Sequence, residues 1–203
     1  MRHRIDVTGI VKAALDGNGG LLGSGRDAVF GCHDYPVNWI TGAESNISCF
    51  MAIALANLIS PGQIVLNLQA RTQAEAIREL VDVLAAAGEI DNVEKFLDEL
   101  RAREAVNSTY AADGVAFPHA RTKLVDQIVL AIGRSETGIP WTGKGEIARL
   151  VFLIAVPERL ISDYLVVVGA IARITRDAPL RTLLVHAENA DEFVATLLGA
   201  PSI

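Results

Sequence analysis

Ile64, Leu66 and Leu68 fall on alternate positions, as the buried face of a strand does, and this short run is the first stretch with a clear period after the N-terminal third. Beyond it the period lengthens to that of a helix. Ile77, Leu80, Val81 and Leu84 share one face, Thr72 and Glu75 stand before them at capping-box spacing, and Gly88 supplies the stop. Asp91 with Glu94 repeats the capping spacing ahead of a second helix. Its buried face is Val93, Phe96, Leu97 and Leu100, so Arg103 emerges near the C-terminal end. Upstream, Cys49–Ile59 reads as a short buried helix stopped by Pro61 and Gly62.

Two nearly unbroken apolar runs, 127–133 and 150–156, predict central strands covered on both faces, with Gly138, Pro140, Gly143 and Gly145 in a surface turn between them. Helices are predicted over about 162–176, 178–187 and 190–199, the last capped by Asn189 or Asp191. The pattern as a whole predicts an α/β fold, a three-layer α/β/α sandwich around a small mixed β-sheet. Residues 1–48 carry no sustained period. Gly17, Gly19, Gly20, Gly23 and Gly25 crowd together there, and the segment reads as an N-terminal extension of unknown role preceding a domain over 49–203.

Composition narrows the function classes without choosing one. At 203 residues and 51% hydrophobic, the chain has ample material for one well-buried domain plus an extension. A net charge of -6 argues against general nucleic-acid binding. The longest apolar candidate, Cys49–Ile59, is interrupted by Asn57 and is about half the roughly 20 residues that a membrane-spanning helix needs. Arg2 and Arg4 are followed by no apolar core, so no signal peptide and no membrane insertion are expected. Two cysteines, Cys32 and Cys49, are few for a disulfide framework in a chain of this length, which points to a reducing cytoplasm. His33 between Cys32 and Asp34 suggests a metal ligand. A metal site needs several spaced ligands and there is no second cluster, so neither metal nor cofactor is expected.

The chemistry concentrates at Pro118-His119-Ala120-Arg121. Proline fixes φ just before the histidine, Gly114 permits an unusual backbone angle, and Val115-Ala116-Phe117 anchors the segment in a core, so the imidazole at 119 is held. With a reference pKa near ~6.5, a histidine is largely neutral at cytoplasmic pH, and its neutral ring nitrogen is a nucleophile that can accept a phosphoryl group. On composition alone, the favoured reading of His119 is a loop histidine satisfied by a backbone carbonyl.

The run from Arg103-Glu104 through Ser108-Thr109 to Gly114-Val115-Ala116-Phe117-Pro118-His119 resembles the signature around the phosphorylated histidine of enzyme IIA domains of the bacterial sugar phosphotransferase system. The resemblance is to the fructose, mannitol and nitrogen-regulatory type and covers roughly residues 56 to 200. It implies a phosphocarrier that accepts a phosphoryl group on His119 from the small histidine-containing phosphocarrier protein. A permease or transporter component would be the onward partner in sugar uptake or regulation. It assigns Arg103 to the phosphoryl charge, where a guanidinium offers a planar fork; the same arginine would also suit a helix C-terminus. Ser108, Thr109 and Arg121 become phosphoryl-binding candidates. The hydroxyl pair is as readily explained by turn chemistry, and Arg121, like Arg101, by a solvated surface charge.

Two departures from the family pattern stand out. Tyr110, Ala111 and Ala112 replace a glycine-rich turn, and Tyr164 in Ser162-Asp163-Tyr164-Leu165 stands where the family commonly has a second histidine. A phenol donates a hydrogen bond but is neither a cation nor a ready proton acceptor near neutral pH. His186 lies too far along to replace that histidine and reads as a helix-surface residue. The alternative function is a non-catalytic regulatory module of the same fold, associated with a transporter or antiporter and binding a partner at the old site.

Overall fold

The computed structural model describes residues 55–199. The N-terminal extension, the Cys32-His33-Asp34 cluster, Cys49 and most of the helix expected over Cys49–Ile59 lie outside the described residues. The described residues from Leu58 onward belong to one compact unit, which holds the sheet, the helices packed on it and the candidate site.

A 3-10 turn, Pro61–Gln63, leads into β1 (Ile64–Val65), then α1 (Gln73–Ala86) and α2 (Val93–Val106). Next come β2 (Tyr110–Ala112), β3 (Val115–Ala116), β4 (His119–Thr122), β5 (Val129–Pro140) and β6 (Ile147–Pro157). Helices α3 (Ile161–Arg176), α4 (Ala178–His186) and α5 (Ala190–Leu197) complete the unit. The six strands form one mixed sheet in the order β1-β5-β6-β3-β2, with β4 also paired to β6. β5 and β6 are antiparallel, while β1 runs parallel to β5 and both β3 and β4 parallel to β6.

The three layers arise from the alternation of side chains along the two long strands. Val129, Ala131, Val151, Leu153 and Ala155 join the core beneath α1 and α2, together with Leu80, Leu84, Phe96 and Leu100. Leu130, Ile132, Phe152 and Ile154 are equally buried from the other face, where α3 packs on β6 and α4 on β5. Burial on both faces is why these strands read as unbroken apolar runs.

Several boundaries differ from expectation, each for a local reason. The first strand stops at Val65, because the Leu66 carbonyl accepts from Arg134 Nε (2.7 Å) and leaves the ladder; Leu68 is buried nonetheless. Helix α2 is capped by Asn92, whose Oδ1 accepts from Lys95 N (3.1 Å), and not by the expected Asp91 with Glu94; Glu94 pairs instead with Arg78 on α1. Gly138 and Pro140, expected in a turn, belong to β5, which runs on to Pro140 across an irregularity between Arg134 and Ile139. Gly138 sits at φ 82°, and a Cβ there would run into Ile147 Cγ2, so the extended hairpin requires glycine at that point. Asn189, not Asp191, caps α5.

Candidate functional site

The β3–β4 segment is built to fix one side chain. Val115 and Ala116 pair with Leu150 and Val151 of β6, and the ladder resumes at His119 opposite Ile154. Phe117 and Pro118 stand between. Proline has no N–H to give, but its carbonyl accepts from Ile154 N (2.9 Å), so the strand crosses the proline without leaving that amide unpaired. Phe117 stacks on Phe152 with ring centroids 5.5 Å apart, which anchors the segment in the sheet. Along β4, Ala120 and Thr122 are buried, while His119 is half-buried and Arg121 exposed on the opposite face. Positions 119 and 121 therefore share one side of the strand.

Both nitrogens of the His119 ring are engaged. Nδ1 lies 2.8 Å from the Phe117 carbonyl oxygen, which can only accept, so Nδ1 carries the proton. Nε2 lies 3.2 Å from Arg103 Nε, which can only donate, so Nε2 presents its lone pair. The geometry selects one tautomer of a neutral ring. Burial pushes the imidazole below the usual histidine value; the Phe117 carbonyl draws it back up, the Arg103 charge adds to the lowering, and the Glu104 charge opposes it.

Arg103 reaches the ring from the last turn of α2, and its Nη1 donates to the Asn107 carbonyl (2.9 Å) at the end of that helix. The helix-end role and the contact with His119 thus belong to the same guanidinium. Tyr164, in the first turn of α3, places its ring centroid 5.1 Å from that of His119 at 36°. Burial raises the phenol pKa above its usual value and the Arg103 charge opposes that rise, so the hydroxyl stays protonated at neutral pH.

Ser108 and Thr109 lie on the segment joining α2 to β2. Thr109 N donates to Glu104 Oε1 (3.0 Å), while the Thr109 hydroxyl is buried with no hydrogen-bond partner. Ser108 Oγ accepts from Tyr110 N (3.2 Å). The departure at Tyr110 has a visible purpose: its hydroxyl accepts from Gly114 N (3.0 Å) and staples the β2–β3 turn, where Asp113 and Gly114 take φ of 52° and 82°. His119, Arg103 and Tyr164 come together. Arg121 stands on the exposed side of β4, Arg101 forms an exposed pair with Asp98, and His186 is exposed at the end of α4, a helix-surface residue as expected, with Nδ1 on the Thr182 carbonyl.

The family model for the phosphoenolpyruvate-dependent sugar phosphotransferase system, EIIA 2, matches residues 57–199. The chain belongs to this family. Its EIIA match includes every side chain described above. A fructose-specific EIIA component from Haloferax volcanii is 33% identical over 119 residues, covering 58% of this chain and 77% of that protein. The fructose-specific EIIABC component of Bacillus subtilis is 29% identical over 141 residues, covering 69% of this chain but 22% of that protein. The chain therefore spans under a quarter of that larger relative. Among solved structures, the nitrogen regulatory protein IIA-Ntr of Neisseria meningitidis superposes with a TM-score of 0.66 at 25% identity, covering 70% of this chain and 98% of that one. Among the described residues no helix is long and apolar enough to cross a membrane.

Two parts of the site have no strong signal in the sequence. Phe117 contributes a backbone carbonyl, which side-chain chemistry does not advertise. Gln73, the first residue of α1, donates to Glu104 from 31 positions away. Glu104 itself stands beside Arg103 in the signature, and only the fold shows what its carboxylate holds.

Proposed function

We propose that this chain is a phosphocarrier that takes a phosphoryl group on Nε2 of His119. One observation carries the assignment: Nδ1–H is tied to the Phe117 carbonyl, so the lone pair points from Nε2 toward a guanidinium. The Nε2 lone pair attacks phosphorus on the donor phosphohistidine, the donor P–N bond breaks, and its electron pair returns to the donor imidazole. The His119 ring gains positive charge as its N–P bond forms. Its Nδ1 proton stays in place, shared with the Phe117 carbonyl, and no proton has to leave.

Arg103 covers the Nε2 lone pair at rest and moves its N–H to the incoming phosphoryl oxygens, where a planar, permanently charged fork is worth most. The buried, unpaired Thr109 hydroxyl, the Ser108 hydroxyl and the exposed Arg121 guanidinium are the further phosphoryl-oxygen ligands. Tyr164 covers one side of the ring and offers a neutral donor where the family commonly has a second histidine. The donor is the histidine-containing phosphocarrier protein, and a permease or transporter component receives the phosphate in sugar uptake or regulation in the cytoplasm. Residues 49–203 make up the working domain, with 1–48 as an extension outside the chemistry.

Incubation with phosphoenolpyruvate, the upstream kinase and the phosphocarrier protein should place an acid-labile phosphate on His119. An unlabelled chain would leave the same fold acting only as a binding module at this site.

A further inference from the structure

Glu104 is an acidic residue in the last turn of α2, where the helix dipole disfavours negative charge, so helix stability does not explain it. Its bonds do. Oε1 accepts from Gln73 Nε2 at the start of α1 and from Thr109 N, while Oε2 is buried without a partner. The Thr109 carbonyl accepts from Phe117 N (3.0 Å), and the Phe117 carbonyl accepts from His119 Nδ1 (2.8 Å). An unbroken series of hydrogen bonds thus runs from the Glu104 carboxylate through two residues' backbone groups to the ring nitrogen that carries the proton. The neighbouring residues Arg103 and Glu104 grip one imidazole from opposite sides, the arginine at Nε2 directly and the glutamate at Nδ1 through Thr109 and Phe117.

We infer that Glu104 is a positioning residue, which fixes the tautomer and orientation of His119 by anchoring the Thr109 amide. The inference rests on His119 as the phosphoryl acceptor for its consequence in rate, but not for its structural content. What matters is the place of an acceptor oxygen at the end of a side chain of this length, more than the charge on it. Thr109 N is fully used in this way, so its amide is not a phosphoryl ligand and only its hydroxyl remains to act as one.

Two variants separate geometry from charge. Glu104→Gln keeps an acceptor oxygen in place and removes the charge; Glu104→Asp keeps the charge and withdraws the acceptor by one methylene. Both are first checked for cooperative thermal unfolding. Long-range 1H–15N correlation spectra of the unphosphorylated protein then report which ring nitrogen of His119 carries the proton. Glu104→Gln should retain the Nδ1–H tautomer and label near the natural rate. Glu104→Asp should populate the Nε2–H tautomer and label roughly ten- to a hundredfold more slowly, the scale of loss expected when a reacting group is misplaced. Retention of the Nδ1–H tautomer in Glu104→Asp, or its equal loss in Glu104→Gln, would overturn the inference. The spectra need no phosphate transfer, so a natural chain that never takes label would sink the phosphocarrier assignment while this test still returned its own answer.

Discussion

Replacing Arg103 with lysine keeps a positive charge near His119 and removes the fork that carries it. In the natural chain one guanidinium spans two acceptors, the Asn107 carbonyl at 2.9 Å and His119 Nε2 at 3.2 Å. A lysine ammonium has a single nitrogen and cannot meet both in that arrangement. If it caps the helix, the ring loses its donor; if it reaches the ring, the Asn107 carbonyl at the end of α2 loses its own. Losing the helix-end bond costs about 1–2 kcal/mol of stability, since the donor is charged but half exposed. Losing a preorganised donor to a developing oxyanion costs about 2.7–4 kcal/mol of barrier, a fall of ~10²–10³ in rate. A rapid-quench measurement of label transfer from the phosphorylated donor at saturating donor concentration reads the second quantity, and a thermal melt reads the first. Arg103→Gln extends the test, because Arg103 helps hold the imidazole pKa down: the acid limb of the rate profile should move to higher pH in Arg103→Gln and stay in place in Arg103→Lys. Transfer by Arg103→Lys at the natural rate would refute the reasoning and leave Arg103 as a helix cap alone.

The same geometry sets three further outcomes. The His119 pKa is lowered in the folded state, chiefly by burial, so the unfolded chain binds more protons just below the reference value near ~6.5. The His119 contribution to stability is thus present above that value and is lost as pH falls from there toward the folded pKa; His119→Gln should flatten this window in melts across pH, and an unchanged slope would argue against the lowered pKa. Tyr164→His brings a second imidazole beside His119 that can be protonated, so labelling should accelerate below about pH 7, and an equal rate at every pH would mean that position 164 does not act on the phosphoryl group. Arg134 donates to the carbonyls of Leu66, Val185 and Ala187, tying β5 to the β1 exit and to the end of α4; Arg134→Met should destabilise the fold by about 2–4 kcal/mol in denaturant melts, with His119 labelling retained in the folded fraction, and a loss under 1 kcal/mol, roughly that of a single ordinary hydrogen bond, would deny it this role.

How much of the fold can be read from the sequence depends on how local the determinants are. Helix α1 announces itself because its capping box, Thr72 with Glu75, and its apolar face lie within one short window, and both are present in the fold. The central strands are legible for a similar reason, since burial on both faces makes residues 129–133 of β5 and 150–156 of β6 apolar without a break. Their ends are not. β5 continues through Gly138 and Pro140 because Ile139 and Pro140 pair with Ala148 and Ile147 across the hairpin, while a glycine and a proline at its end carry the composition of a turn. The same distinction divides the site. His119 and Arg103 stand in a motif whose spacing can be recognised, and the family pattern puts Tyr164 opposite them. The tautomer, by contrast, depends on a carbonyl at 117 and a carboxylate at 104 joined through the backbone at 109, and such a link exists only once α2 and β3 are folded together.

The central claim is that Nε2 of His119 accepts the phosphoryl group. It is tested most directly by phosphorylating the 15N-labelled protein with phosphoenolpyruvate, the upstream kinase and the phosphocarrier protein, and recording long-range 1H–15N correlations of the His119 ring with the 31P spectrum. The phosphoryl group should appear on Nε2 with the Nδ1 proton still in place, and His119→Ala should show no phosphohistidine signal. A phosphoryl group on Nδ1, on another residue, or persisting in His119→Ala would contradict the assignment.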